Sequence, residues 1–301
     1  MIEFKNEKIA IPIVLLAGIV WSFGPLVVRY MDNPQLVPWQ YIFGRGLTIF
    51  ILLNLYLYFE EGINFYKNYK KVGISGLLGG VGLGIAMMSF IYSITNTTAA
   101  VTLLCLAAMP FFTALLAFLF LKERISFNVW ISIFIATIGI IIMAVGNTEK
   151  NSVIGFIFGI TSSIGFSVFS VSLRWRKETP KFTTVAIAGL VCFLTATIVI
   201  LSTKITFFAT SYNSMLFSVH GTLVCLGLIL YSIGSKAIPA AELTLLSLTE
   251  VIGGIFWVWL PLFGINEVPS TNTIVGGFFL FISLVYYSLI MRWNKRYIAL
   301  N

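Results

Sequence analysis

Apolar residues in this chain gather into runs of about twenty, separated by short polar or charged stretches. A hydrocarbon core ~30 Å thick is crossed by ~20 helical residues. Runs of that length recur at 11–30, 36–58, 72–92, 97–120, 127–146, 152–173, 183–202, 214–235, 240–263 and 270–292, which predicts ten transmembrane helices. Only Ser93–Asn96 divides the third run from the fourth. The tetrad Thr95-Asn96-Thr97-Thr98 reads as a polar turn there, because a single helix over 72–120 would overshoot the bilayer. The opening MIEFKNEKIA passes into a twenty-residue apolar run with no small-x-small cleavage pattern near 28–36, so it reads as the approach to a first transmembrane helix and not as a signal peptide.

One run breaks its own pattern. Pro239–Trp259, PAAELTLLSLTEVIGGIFWVW, carries Glu250 about eleven residues in, roughly 15 Å deep at ~1.5 Å per residue. A charge at that depth costs several kcal/mol by most estimates and belongs against a cavity or a partner, not lipid. Gly253, Gly254 and Trp257 follow at i+3, i+4 and i+7, so a carboxylate, bare backbone and an indole share one face.

Composition agrees with the runs. The chain is 10% charged and has a mean hydropathy of +0.98, where a soluble domain carries roughly 25% charged residues. Its net charge of +8 does not point to nucleic acid, because the basic residues stand in short clusters between apolar runs. Ten spans with a cytoplasmic N-terminus put fifteen Lys and Arg inside, three (Arg29, Lys150, Lys204) outside and Arg45 within a span. That asymmetry is the positive-inside signature and predicts both termini in the cytoplasm, in an inner (plasma) membrane. Cys105, Cys192 and Cys225 all fall within apolar runs without CxxC spacing, which argues against a disulfide framework or a metal site.

The chain also repeats itself. Ala100–Pro110, AVTLLCLAAMP, leads to a helix ending LKERIS; Ala241–Val251, AELTLLSLTEV, leads to one ending GINEVPS. The offset is about 141 residues and widens by about three where Glu123 answers Glu267. Five spans per repeat is an odd number, so the repeats, 1–148 and 149–301, are expected to lie inverted to one another with a site between them near the midplane. These segments, with Trp21–Leu26 (WSFGPL) and Arg45, resemble the paired EamA-type domains of the drug/metabolite transporter superfamily, and the resemblance covers nearly the whole chain. Its second half departs from the usual pattern at Glu250-Val251, where relatives often have Glu-Pro, and at Gly264–Glu267. The resemblance implies an all-α integral membrane protein of ten helices in two inverted five-helix repeats, a central cavity and transport of small metabolites. It leaves the cargo open, since the motifs mark the fold.

Six residues are candidates for binding a small-molecule substrate: Trp21, Arg45, Tyr92, His220, Glu250 and Trp257. Arg45, also near mid-depth, either meets a substrate carboxylate or pairs internally with Glu250 or with backbone carbonyls. Glu250 neutralises a cationic group, carries a proton or serves as the partner of Arg45. His220, the chain's one histidine, shuttles protons or packs. Trp21 and Trp257 are expected to line the cavity, whereas Trp39 and Tyr41 read as an interfacial belt. Glu242 reads as a structural acid at a helix N-terminus. Gly76, Gly80 and Gly84 form a helix-packing stripe, and Pro12, Pro25 and Pro110 should kink or open their spans. Pro110 and Gly253-Gly254 are expected to act as equivalent bends of the two repeats.

No phosphate-binding loop accompanies this set, so neither ATP hydrolysis nor a bound cofactor is expected. One histidine and two acids do not make the convergent set an intramembrane enzyme needs. The sequence therefore points to a gradient-driven or facilitative transporter of a small metabolite, an amino acid or other zwitterion. A lipid-head-group flippase on the same fold is the near alternative. The bilayer is the expected surrounding, nucleic acid is not a partner, and a homodimer stays open as the assembly.

Overall fold

A computed structural model describes residues 7–122, 127–146, 153–176 and 178–299. Glu123 and the basic residues Lys5, Arg124, Lys150 and Lys177, which carry part of the repeat and of the charge count, lie outside the described residues. All regular structure among the described residues is helical. The first half comprises α1 (Glu7–Ser22), α2 (Gly24–Arg29), α3 (Pro38–Glu61), α4 (Lys67–Lys71), α5 (Gly73–Asn96), α6 (Ala99–Leu106), α7 (Met109–Leu121) and α8 (Phe127–Gly146). The second comprises α9 (Val153–Trp175), α10 (Lys181–Thr203), α11 (Ser211–Gly234), α12 (Ala240–Leu246), α13 (Thr249–Trp259) and α14 (Thr271–Ala299).

Among the described residues, eight stretches are long and apolar enough to cross a bilayer, and shorter apolar helices at Trp130–Ile142 and Thr271–Ser283 fall in the two remaining predicted spans. The structure is that of an all-α membrane protein, as the runs predict. Helix α5 continues through Asn96, and the polar turn narrows to Thr97-Thr98, where the Thr98 hydroxyl caps α6 by accepting from Val101 N at 3.2 Å.

Among the described residues, three spans are interrupted. The first breaks at Phe23, where Gly24-Pro25 opens α2. The fourth breaks at Ala107-Ala108 and the ninth at Ser247-Leu248. Two hydrogen bonds recur at these last two breaks: Ala107 N donates to Leu103 O and Ser247 N to Leu243 O; Phe111 N donates to Ala108 O and Val251 N to Leu248 O. The bend in the second half therefore lies before Glu250, not at Gly253-Gly254, which sit inside continuous α13. Those glycines serve close packing instead: a Cβ on Gly253 would stand 2.7 Å from Ser22 Cβ, and one on Gly254 2.7 Å from Leu103 Cδ1.

Packing runs across the halves. Helix α5 lies along α9, and α1 along α11; α5 meets α10, and α3 meets α11; α7 packs on α9, and α13 on α1. Each contact has its counterpart when the halves are exchanged, while α3 with α10 and α8 with α14 are their own counterparts. The predicted glycine stripe of α5 receives α10, where a Cβ on Gly80 would meet Ile187 Cγ2 at 2.6 Å. At the α3–α10 crossing Gly46 and Gly189 face each other, each hypothetical Cβ 3.0 Å from the other's carbonyl oxygen. Arg45 sits one residue from this crossing, so backbone contact fixes its position.

Candidate functional site

A cavity of about 60 Å³ lies where the interrupted helices meet the crossing pair. Its wall takes Trp21 from α1, Arg45 from α3, Met87 and Phe90 from α5, Leu106 and Met109 from the break in the fourth span, Ser162 and Phe166 from α9, His220 and Val224 from α11, and Glu250 from α13. Both halves contribute. Four of the six residues singled out in the sequence therefore converge on one space, although Trp21 and Glu250 are more than 200 positions apart.

Arg45 is the least compensated group there. It is 4% exposed, and its Nε and Nη1 have no hydrogen-bond partner. Its guanidinium carbon stands 5.5 Å from the centre of the Phe90 ring, within cation–π range. Glu250 lines the same cavity, yet no ion pair joins the two. A buried cation without an anion costs several kcal/mol, so the cavity holds an unanswered demand for negative charge.

The helix break changes the reading of Glu250. As the second residue of α13 it lies in the first turn of a half-helix, where the helix dipole favours a carboxylate, although the amides of Glu250, Val251 and Ile252 already donate to Ser247 and Leu248 carbonyls. The sequence pattern placed it in the middle of a continuous helix.

His220 is 2% exposed, and its Nδ1 is hydrogen-bonded to the hydroxyl of Tyr41. Tyr41 is fully buried and stacks on Phe217 at 4.7 Å, so it belongs to the core and not to the expected interfacial belt. Helix α11 begins at Ser211, earlier than the apolar run suggests, which carries His220 deeper. A Cβ on Gly24 would come within 2.7 Å of His220 Nε2, so the start of α2 rests on the imidazole.

Trp21 is held in the wall: its Nε1 donates to Val224 O at 3.2 Å, and its ring meets Phe166 edge-on at 5.8 Å. The other two candidates lie elsewhere. Trp257 donates from Nε1 to Ser22 Oγ at 3.0 Å and stacks on Phe23 at 5.0 Å, bracing the first interrupted span. Tyr92 is half-buried between Trp39 at 5.6 Å and Phe158 at 5.1 Å, which also places Trp39 in an aromatic cluster of α3, α5 and α9.

Sequence reasoning missed Phe90, Phe166, Met109 and Ser162 on the wall. Phe166 meets the Trp21 ring in the cavity, but an aromatic inside an apolar run carries no mark of its own. Ser162 donates to Ala86 O at 2.9 Å, an interhelical bond with no sequence signature.

Comparison with known proteins bears on this arrangement. Residues 8–145 match the EamA-like transporter family. The chain carries an EamA-like domain. Two relatives named "uncharacterized transporter", from Helicobacter pylori strains J99 and 26695, are each 28% identical over 167 residues, 54% of this chain and 53% of theirs. The chain thus spans about half the length of the curated relatives it matches. A protein of known crystal structure aligns over 95% of this chain and 99% of its own with a TM-score of 0.66. At 16% identity that likeness shows the fold alone. The EamA-like match includes Trp21, Arg45, Phe90 and Met109, whereas Phe166, His220 and Glu250 come from beyond it.

Proposed function

We propose that this chain is a secondary transporter that moves a small organic metabolite, an amino acid or similar zwitterion, by alternating access between two inverted repeats, 1–148 and 149–301. The observation that carries the reading is Arg45: a buried guanidinium with two unpartnered nitrogens, facing a cavity that also holds Glu250 but making no pair with it. A substrate carboxylate would complete Arg45, and its ammonium group, or a proton, would answer Glu250. Trp21 and Phe166 form an aromatic side for the remainder. The exchange-symmetric packing and the matched helix breaks support the repeat reading.

The small cavity favours a short substrate, or an occluded form that widens when it opens. The basic split supports a cytoplasmic Lys71 end, with both termini on that side. An apolar cavity of about 340 Å³ between α6, α13 and α14 lends weight to a lipid flippase. It shares no lining residue with the central cavity, so the transporter reading leads.

Uptake of a labelled panel (neutral amino acids, short betaines, organic cations and dicarboxylates) into liposomes holding the purified protein tests the proposal. Gradient-dependent, nucleotide-independent uptake of a zwitterion is expected. Uptake strictly requiring ATP hydrolysis, or movement of fluorescent phospholipid alone, would sink it.

A further inference from the structure

The two ends of the bundle are built differently. At one end Leu57, Glu61 and Lys71 of the first half and Arg174, Lys181 and Pro239 of the second surround a cavity of about 900 Å³, near which Ser75 Oγ donates to Ser172 O at 2.7 Å. At the other end, side chains tie the halves together. Arg29, the last residue of α2, donates from Nε to Glu267 Oε2 at 2.6 Å, from Nη1 to Ile94 O at 2.9 Å and from Nη2 to Thr97 O at 3.1 Å. Glu267, in the segment after α13, uses its other oxygen to accept from Ala99 N at 2.6 Å, and its own N donates to Val258 O at 2.8 Å.

Each charge also stands where a helix terminus favours it. The guanidinium satisfies carbonyls at the C-terminal end of α5, and the carboxylate accepts from the first amide of α6. One ion pair thus fastens the end of α2, the α5–α6 corner and the segment that follows α13. Beside it, Tyr30 donates from its hydroxyl to Phe263 O at 2.5 Å, and Asn213 exchanges two bonds with the Asp32 backbone, at 2.9 and 2.8 Å. All three ties join the first half to the second.

We infer that Arg29 and Glu267 form a latch that holds this end of the central cavity shut and must part for the cavity to open there. The inference rests on the alternating-access reading above. The latch is suited to release: both side chains are about one-fifth exposed (21% and 19%), so water can take over their hydrogen bonds as the halves separate. Neither Arg29 nor Glu267 lines the central cavity, so the pair can act on access while the binding groups stay in place.

The test measures distance. Spin labels at Leu36→Cys and Leu262→Cys, exposed positions of the two halves at this end, report its opening by pulsed electron resonance in nanodiscs; a second pair, Phe59→Cys with Trp175→Cys, reports the opposite end. The native cysteines are buried. Arg29→Gln and Glu267→Gln should each raise the longer-distance population at the latch end by about fivefold or more, the low end of coupling between linked elements, and shorten the distances at the opposite end. Should either variant fold poorly, Arg29→Lys and Glu267→Asp, which keep the charge and lose geometry, should show the same shift in smaller degree. Unchanged distances with only a lowered melting temperature would make the pair a structural staple and overturn the latch. The two readings fail separately: distance shifts without uptake of any tested solute would leave the latch and remove the transporter, while uptake with unchanged distances would do the reverse.

Discussion

The fourth and ninth spans solve one problem in two ways. Each must stop a helix part-way along its span and start another, and they share most of their backbone hydrogen bonds, although Glu250 N donates to Ser247 O at 3.0 Å where Pro110 has no N–H to give. The restart differs in its second residue. Helix α7 opens Met109-Pro110, using a residue that lacks the N–H a helix start would leave orphaned; α13 opens Thr249-Glu250, using a carboxylate that the helix dipole favours. Their supports differ as well. At the first break Ser163 and Ser167 of α9 donate to Cys105 O at 2.5 Å and Met109 O at 3.1 Å, so a neighbouring helix ties both sides of the interruption. At the second, Ser247 turns back on Thr244 O at 2.8 Å, and Thr249 reaches the neighbour, Leu15 O, at a long 3.4 Å. One half thus presents a tied, apolar edge to the cavity and the other a loosely held, charged one. Two similar helix breaks differ at a single position that sets whether the cavity edge is apolar or charged.

The strongest way to break the comparison is to make the second opening like the first. The double change Thr249→Met with Glu250→Pro should preserve the helix restart and abolish transport. Glu250→Gln alone should lower uptake by at least ~30-fold with the fold intact, since removing one partner of a desolvated charge contact costs about 2–5 kcal/mol. Liposome uptake beside size-exclusion profiles checks both. Gly46→Ala comes next: its methyl would meet Cys192 Cβ at 2.8 Å and Phe193 N at 2.9 Å, separating the halves at their crossing. Overpacking of this kind costs about 1–3 kcal/mol, to be read as a lower melting temperature. Ser163→Ala should release the tie on the first break for about 0.5–1.5 kcal/mol, with faster hydrogen exchange at Ala107-Ala108. The smallest effect is expected for Trp257→Phe, which loses one hydrogen bond to Ser22 outside the cavity. Stability should fall by ~1 kcal/mol or less, and substrate affinity should hold.

Span count and fold class were legible because a bilayer imposes element length through hydropathy alone. Convergence of Trp21, Arg45, His220 and Glu250 was legible because polar or amphipathic groups at mid-depth have few places to go. Two of the breaks were legible as well, since Pro25 and Pro110 stand as the second residues of the restarted helices; the break at Ser247-Leu248 was not, because it contains neither proline nor glycine and leans on hydroxyls and on a helix that only the fold brings near. Tyr41 misled for a related reason. Its position near a helix start suggests an interface, but burial beside His220 is decided by α11, 179 residues away. Arg29 and Glu267 counted in the sequence as a topology charge and a repeat marker, and their pairing appears only in three dimensions.

The central claim is that Arg45 and Glu250 answer a substrate and not each other. A double-mutant cycle on uptake and melting temperature, with Arg45→Gln, Glu250→Gln and both together, tests it most directly. The account predicts that each single variant folds and loses zwitterion uptake, and that the double variant stays inactive. A double variant that is as stable as the unmodified protein and transports at its rate would contradict it.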